Sequence, residues 1–139
     1  MTHYRSALRA EAKALLRADP LFADVKCVIS SAKLDPDSLP CWSVSTPGED
    51  REDLSSTQFR ADTDLVVALS IKGDADTIED ELDAHSEKIE LLLIEGLKKN
   101  TGVQGVLLRR TETKTGPELL HVTGSVMMLF VVTGFIQDE

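Results

Sequence analysis

Aromatic residues are scarce in this sequence of 139 residues, where one Trp, one Tyr and four Phe make up 4% of the chain. Proteins that hold single-stranded nucleic acid stack its bases on several aromatic side chains, so no such platform is predicted. Cysteine is also scarce, and two cysteines form neither a disulfide framework nor a zinc site. Cys27 and Cys41 lie in apolar, strand-like contexts, which predicts buried free thiols; a disulfide stays open if their strands pair.

The chain has no excess of positive charge. Its formal net charge is −9 and its pI is about 4.8, whereas a protein that binds the phosphate backbone tightly needs a basic surface. An acidic chain is still compatible with a surface that DNA passes without binding. Long apolar runs are absent as well. The first 13 residues lack the apolar run of a secretory signal, and residues 126–132 are too few to span a bilayer.

Recognisable catalytic motifs are absent. Three scattered histidines make no metal cluster, and the metalloprotease, CxxC, GxSxG and P-loop signatures do not occur. Asp62 and Asp64 fall on one face of a predicted strand, about 7 Å apart, and are the first candidates if the chain binds a cation. The sequence therefore predicts a protein that is not an enzyme and has no catalytic, cofactor-binding or metal-binding residues.

The clearest pattern that the sequence does contain is an alternation of apolar and polar residues over positions 57–72, TQFRADTDLVVALSIK. A period of two is typical of a β-strand with one buried face. A strand of this length would reach roughly 50 Å if unbroken. We therefore expect its first half to project past the core as an arm or as half of a hairpin.

Helical periodicity occurs twice, over residues 3–18 and from Asp76 to about Lys99, the second with capping-box spacing between Asp76 and Glu79. Further strands are predicted at 25–30, 41–46, 106–113 and 118–136, with a polar loop at 47–56 and a hairpin turn at 114–117. The predicted fold is a single domain, residues 1–139, of the α/β (α+β) class. Two helices pack on a mostly antiparallel sheet, from which a long strand or hairpin projects.

The last strand is too apolar for a sheet that faces water on one side. Around positions 127–131 both faces are apolar, which is typical of a strand covered on both sides. One helical layer covers one face of a small sheet, so the second face predicts contact with another chain. Assembly, rather than catalysis, is the function that these patterns favour.

The order of elements resembles the tail terminator proteins of long-tailed phages, the group that includes minor tail protein U. The likeness covers nearly the whole chain and lies in its length, in the element order and in the segments PCWSV (40–44), FRADTDLVVALSIKG (59–73), LDAHSEKIE (82–90) and LLRRTET (107–113). Proteins of prophage tails and gene transfer agents would show the same pattern. The resemblance implies a structural protein whose helices pack on a mostly antiparallel sheet.

The resemblance also implies partners and a location. Tail terminators form a hexameric ring on the last ring of the tail tube, stop its polymerisation and meet a head-side adaptor or stopper protein, while DNA passes through the lumen without specific binding. The expected location is therefore the head–tail junction of a virion or phage-like particle, assembled in the bacterial cytoplasm. No membrane is involved. The alternatives are a tail-completion or head–tail stopper protein, or a non-viral regulatory domain that binds a small ligand.

Charge and pattern, not the resemblance, suggest which residues would serve these roles. The acidic run in the predicted polar loop is the candidate lining of the lumen or rim: Glu49, Asp50, Glu52 and Asp53. The candidate contacts with a neighbouring subunit or the tube lie in the projecting segment and on the second face of the sheet: Leu54, Phe59, Arg60, Asp62, Asp64, Val66, Ala68, Met127, Leu129 and Val131.

Overall fold

A computed structural model of the chain describes residues 4–22, 25–27, 40–117 and 122–137. Within these ranges two helices and five strands follow one another in the order α1 (Tyr4–Ala18), β1 (Lys26–Cys27), β2 (Cys41–Asp53), β3 (Gln58–Gly73), α2 (Ile78–Thr101), β4 (Gly105–Pro117) and β5 (Val122–Gln137). Residues 28–30 of the predicted first strand and 118–121 of the predicted last strand lie outside the described ranges.

The sheet is organised around β3, as the alternation in its sequence predicts. The strand order is β1-β2-β3-β5-β4, so β3 is central. It pairs with β5 over its whole length and with β2 from Phe59 to Ser70, both antiparallel. Only the short β1 pairs in parallel, with the start of β2. The predicted α+β class, with two helices and a mostly antiparallel sheet, is confirmed.

The first half of β3 is part of a hairpin rather than an isolated arm. Residues 48–53 of β2 pair with it on one side, and the end of β5 pairs with it on the other. The turn occupies residues 54–57, where the backbone N–H groups of Leu54 and Ser55 both donate to the carbonyl oxygen of Gln58. The long strands therefore extend together as three paired segments: residues 48–53 of β2, 58–64 of β3 and 131–137 of β5. We call these segments the distal sheet.

Both helices pack on the same face of the sheet. Alternate residues of β3, from Phe59 to Ile71, are buried there, and so are alternate residues of β5 from Gly124 to Gly134. The helices contribute their apolar stripes to the same core: Leu8, Ala12 and Leu16 from α1, with Ile78, Leu82, Ile89, Leu93 and Leu97 from α2. Trp42 and Val44 join this core from one face of β2.

Three predictions about local structure are wrong. The predicted polar loop at 47–56 is mostly strand, since residues 48–53 belong to β2. The predicted turn at 114–117 is the end of β4. In both segments the backbone pairs with a neighbouring strand. This pairing makes the segment a strand, although its polar composition favours a loop or turn. Thr77, not Asp76, occupies the N-cap position of α2, and its side chain makes no capping hydrogen bond; Gly102 ends the helix with a positive φ of 72°.

Cys41 is a free, buried thiol, as predicted. Burial raises the pKa of this thiol, which keeps it protonated and unreactive. The side chain of Cys27 lies outside what the structure describes.

Candidate interaction surfaces

The face of the sheet that turns away from the helices carries an apolar patch. In an antiparallel pair, residues directly opposite each other share a face, and the register places Val66 opposite Leu129 and Ala68 opposite Met127. Leu107 of β4 stands opposite Val131 and extends the patch across a third strand. We call these six residues the apolar patch: Val66, Ala68, Leu107, Met127, Leu129 and Val131.

The apolar patch is accessible and has a polar border. Met127 is 43% exposed and Leu107 is 65% exposed, and the other four residues are half-buried. Arg110 and Glu112 flank the patch on β4 and Ser45 flanks it on β2, while Ser43, opposite Ala68, is buried. An apolar centre within a polar rim is the usual composition of a protein–protein interface.

The sequence located most of this patch but missed Leu107. The run Val106-Leu107-Leu108 is apolar on both faces of β4, and that signal indicates a second covered face there as it does in β5. Phe135, also missed, is 48% exposed and stands opposite Arg60 in the distal sheet. It lies on the same face as the apolar patch, farther along β5.

The predicted contact residues of the projecting segment divide between the two faces. Arg60, Asp62 and Asp64 lie on the face that carries the apolar patch, and Leu54, at the turn, is 48% exposed. Phe59 lies on the helix face instead and is only 7% exposed, with the guanidinium of Arg51 over its ring, 4.3 Å from the ring centroid. Phe59 therefore stabilises the hairpin and offers little surface to a partner.

The acidic run also divides between the faces, because it is a strand. Glu49 turns to the helix face, where its side chain is 6% exposed; it forms an ion pair with Arg51 at 2.7 Å and accepts a hydrogen bond from Thr63 at 3.2 Å. Burial alone would raise the pKa of Glu49, but the bonds from Arg51 and Thr63 and the charges of Arg51 and Arg5 outweigh it and lower the pKa. Both carboxylate oxygens of Glu49 therefore already have partners within the chain.

The other three acidic side chains of the run are exposed to solvent. Asp50, Glu52 and Asp53 are exposed and form no ion pair with any described residue. Asp50 stands opposite Asp62, and Glu52 stands opposite Arg60, so both lie on the face that carries the apolar patch. The lumen or rim role of the acidic run stays a prediction, and Asp50, Glu52 and Asp53 are the members available for it.

Of the two carboxylates considered as a cation site, Asp62 already has partners within the chain. The carboxylate of Asp62 is bound by Arg60, at 3.2 Å, and accepts a hydrogen bond from the hydroxyl of Thr133, at 2.7 Å. Across residues 4–22, 25–27, 40–117 and 122–137, no group of three or more His, Cys, Asp or Glu side chains is arranged to hold a metal ion. In the same part of the chain, neither helix is long and apolar enough to cross a membrane.

The sheet ends in two edge strands whose outer backbone groups lack a partner among the described residues. On one side β1 pairs only with Cys41 and Trp42, so no described residue pairs with the outer edge of β2 from Ser43 to Asp53. On the other side β4 pairs only with β5. An unpaired edge presents a row of N–H and C=O groups that another strand can bind.

Comparisons with known proteins identify the fold but no family. No family model matches the chain, and no curated protein matches it. Among solved structures, the chain is similar to one in the virion of a native gene transfer agent particle. The two are 17% identical, with a TM-score of 0.50, and the match covers 96% of this chain and 100% of the other. At this identity the likeness shows a shared fold.

Proposed function

We propose that this chain is a structural component of a phage-like particle, and specifically a ring-forming tail terminator. In this role it caps the tail tube, stops the tube's polymerisation and connects it to a head-side adaptor, while DNA passes through the lumen. The chain carries out no reaction; it acts by binding other proteins. A gene transfer agent particle is the assembly that the structural likeness favours, because the similar chain comes from the virion of such a particle.

The observation that carries this proposal is the uncovered apolar patch. Both helices pack on one face of the sheet, while the other face exposes Met127 and Leu107 beside four further apolar side chains. Burial of apolar surface contributes roughly 25 cal/mol per Å², so a protein that leaves such a patch in water forgoes stability that a second chain would supply. The patch therefore supports assembly, and the tube or a neighbouring subunit is its proposed partner.

A ring places further requirements on the subunit, and the fold is compatible with them. Closed rings form through head-to-tail contacts, which need two different and complementary surfaces on each subunit. The apolar patch, the exposed turn at Leu54 and the two strand edges lie at different places on the chain, so one copy can contact several neighbours at once. A homo-hexamer is the ring that the resemblance to tail terminators implies.

Deletion of the gene in the producing cell tests the role directly. Electron microscopy should show tails longer than those of the wild type, because nothing stops the growth of the tube. Tubes of normal length without heads would instead identify a tail-completion or stopper protein. Particles indistinguishable from the wild type would overturn the proposal and leave the small-ligand regulatory domain as the alternative.

The apolar patch can be tested separately with Leu129→Lys. Leu129 is half-buried at the centre of the patch, so a lysine there can extend into water in the free chain but must be desolvated against a partner. We expect the variant to fold and to be missing from purified particles. Thr123→Lys, on the same face of β5 but outside the patch, is the matched control and should be incorporated normally. Normal incorporation of both variants would exclude the patch as a contact.

A further inference from the structure

Strand β2 has a β-bulge near its middle. The register places Ser45 opposite Val66 and Gly48 opposite Asp64, so two residues of β2, at positions 46 and 47, face one residue of β3. A bulge of this kind bends its strand and increases the local twist. The proline at position 47 suits a bulge, because it has no N–H to donate to a neighbouring strand. Strand β2 is therefore bent where the distal sheet begins.

Strand β4 has a bulge at the same level of the sheet. Leu108 and Arg110 pair with consecutive residues of β5, which leaves Arg109 as the extra residue. Those two residues of β5, at positions 129 and 130, pair with residues 65–66 of β3, where the bulge of β2 also lies. The two bulges thus lie on one line across the sheet, on either side of the β3–β5 pair. We call this line the bend line; the distal sheet lies beyond it.

Helix α1 crosses the bend line on one face of the sheet. Toward its C-terminal end, the guanidinium of Arg17 lies over the ring of Trp42, 5.7 Å from the ring centroid and before the bend line. Near its middle, Arg9 donates a hydrogen bond to the hydroxyl oxygen of Thr46, inside the bulge of β2. Its first residue, Tyr4, packs on the distal sheet. The helix therefore contacts the sheet before, at and beyond the bend.

The side chain of Tyr4 fits against a glycine of β5. A Cβ atom on Gly134 would lie 2.6 Å from the hydroxyl oxygen of Tyr4 and 3.3 Å from its Cζ, so any other residue there would displace the ring. That oxygen is buried and makes no hydrogen bond of ordinary geometry with a described residue. Close packing, rather than a hydrogen bond, therefore holds the first turn of α1 on the distal sheet.

The apolar patch lies on the opposite face and spans the same line. Its six residues form three levels, with Ala68 and Met127 before the bend line, Val66 and Leu129 at it, and Leu107 and Val131 beyond it. A change in the bend would move the first and third levels relative to each other. Because a protein–protein interface depends on complementary shape, the bend decides which surface the patch offers to a partner.

We propose that α1 is a brace that fixes this bend and thereby holds the apolar patch in the shape that its partner binds. Arg9 and Tyr4 are positioning residues: both lie on the face away from the patch and act through the sheet. Arg9 holds the bulge of β2, and Tyr4 holds the distal sheet. This inference rests on the proposed function, because it assigns to α1 a part in binding at the patch.

The bend can be measured in the isolated chain from the distance between two spin labels on β5. Thr123→Cys and Phe135→Cys place the labels on the face of the patch, one on each side of the bend line. Replacing Cys27 and Cys41 by alanine leaves these as the only thiols. The labelled residues would be roughly 40 Å apart along a straight strand. Pulsed electron paramagnetic resonance gives the distribution of this distance.

Arg9→Ala and Tyr4→Ala are the brace variants. In each we expect the distance distribution to become at least about twice as wide as in the wild type, because the bulged strand is no longer held at one angle. The apolar residues of α1 keep the helix on the core in both variants: Leu8, Ala12 and Leu16. Circular dichroism and urea unfolding confirm that the variants fold.

Two matched controls separate the brace from general effects on the helix. Lys13 lies one turn after Arg9 and forms no ion pair with another described residue. Lys13→Ala therefore removes the same charge without touching the bulge. Tyr4→Phe keeps the ring against Gly134 and removes only the hydroxyl group. Both controls should give the distance distribution of the wild type.

Incorporation into purified particles tests the link to the patch. The brace variants leave all six patch residues unchanged, yet we expect them to be incorporated at least about fivefold less than the two controls. A structural role in stability alone would instead lower incorporation in proportion to the loss of folded chain, which urea unfolding measures.

The outcomes that would overturn the inference are distinct from those that test the proposed function. An unchanged distance distribution in the brace variants, or an equally wide one in the controls, would overturn the brace. A wide distribution with normal incorporation would overturn its link to the partner. Tails of wild-type length in cells that lack the chain would overturn the proposed function and with it that link, while the distances would still decide whether α1 fixes the bend.

Discussion

The two faces of the sheet differ sharply, although the same strands build both. Consecutive residues alternate between them, so Met128 is buried under the helices while Met127, next to it, is 43% exposed. Val67 and Val66 show the same contrast one strand away. The chain therefore places similar side chains in two environments, one that stabilises the isolated fold and one that only a partner can bury.

This contrast separates stability from assembly. Substitutions on the helix face act on the free energy of unfolding, because the side chains there are already packed. On the other face, we expect the same substitutions to leave the isolated chain nearly unchanged and to act on the proposed contact with a partner. Pairs of adjacent residues with the same chemistry make this separation measurable, since each pair differs in the face and little else.

The largest difference is expected between Met128→Lys and Met127→Lys. At position 128 the ammonium group would be enclosed by the core, and a buried charge without a partner costs at least about 4 kcal/mol, a large part of the stability of a small domain. At position 127 the lysine can reach water beside Glu112, the residue opposite on β4. We expect its effect on unfolding to be within about 0.5 kcal/mol.

Urea unfolding followed by circular dichroism distinguishes the two methionine variants. The Met128 variant should be unfolded or nearly so without denaturant, and the Met127 variant should unfold at nearly the wild-type urea concentration. Equal destabilisation by both would mean that the second face is also covered within the isolated chain, and the contrast between the faces would be lost.

A smaller effect is expected at Gly124, where side chains of helix α2 pack directly on the strand β5. A Cβ atom on Gly124 would lie 2.8 Å from Cγ1 of Ile78 and 2.9 Å from Cδ1 of Leu82. Gly124→Ala should therefore push the helix away from the sheet and cost about 1–3 kcal/mol. The measurement is the midpoint of urea unfolding.

Gly105→Ala is the control for this effect, because a Cβ there would meet no atom within 4 Å. Its expected change is within about 0.5 kcal/mol. If Gly124→Ala were as harmless as the control, the helix layer would be loosely packed, and burial on the helix face would stabilise the fold less than the structure implies.

The sequence predicted those parts of the fold in which side chains follow a clear period. The alternation in β3 and the apolar stripe of α2 identified the central strand and the main helix, and the doubly apolar segment of β5 pointed to three of the five patch residues predicted, Met127, Leu129 and Val131. What it missed depends on partners in space. Residues 48–53 have no apolar alternation, and they form a strand because the backbone of β3 lies beside them.

The acidic run, likewise, could be located from the sequence, but the surroundings of each of its side chains could not. A run of four acidic residues in sequence looks like one surface, but a strand turns alternate side chains to opposite faces. Glu49 thus meets Arg51 and Thr63 on the helix face while Asp50 remains in water.

The smallest effect expected compares Glu49 with Asp50, adjacent acids on opposite faces of the distal sheet. Glu49→Gln keeps the size of the side chain but weakens its bonds with Arg51 and Thr63, and should cost about 1 kcal/mol at pH 7. Asp50→Asn removes a charge that faces Asp62 and bonds to no described residue. It should leave stability unchanged or raise it by about 0.5 kcal/mol at most.

The dependence on pH tests whether the charge of Glu49 causes the difference in unfolding free energy. The pKa of Glu49 in the folded chain lies below its ordinary value of 4.5, so its contribution is fully present above pH 4.5 and is lost as the pH falls through the folded-state pKa. The difference in unfolding free energy between the wild type and Glu49→Gln should therefore be constant at neutral pH and shrink in acid. Urea unfolding at several pH values measures it. A difference that stays constant down to pH 3 would show that the Gln variant loses packing rather than charge. Neither Glu49 nor Asp50 would then stabilise the distal sheet through its charge.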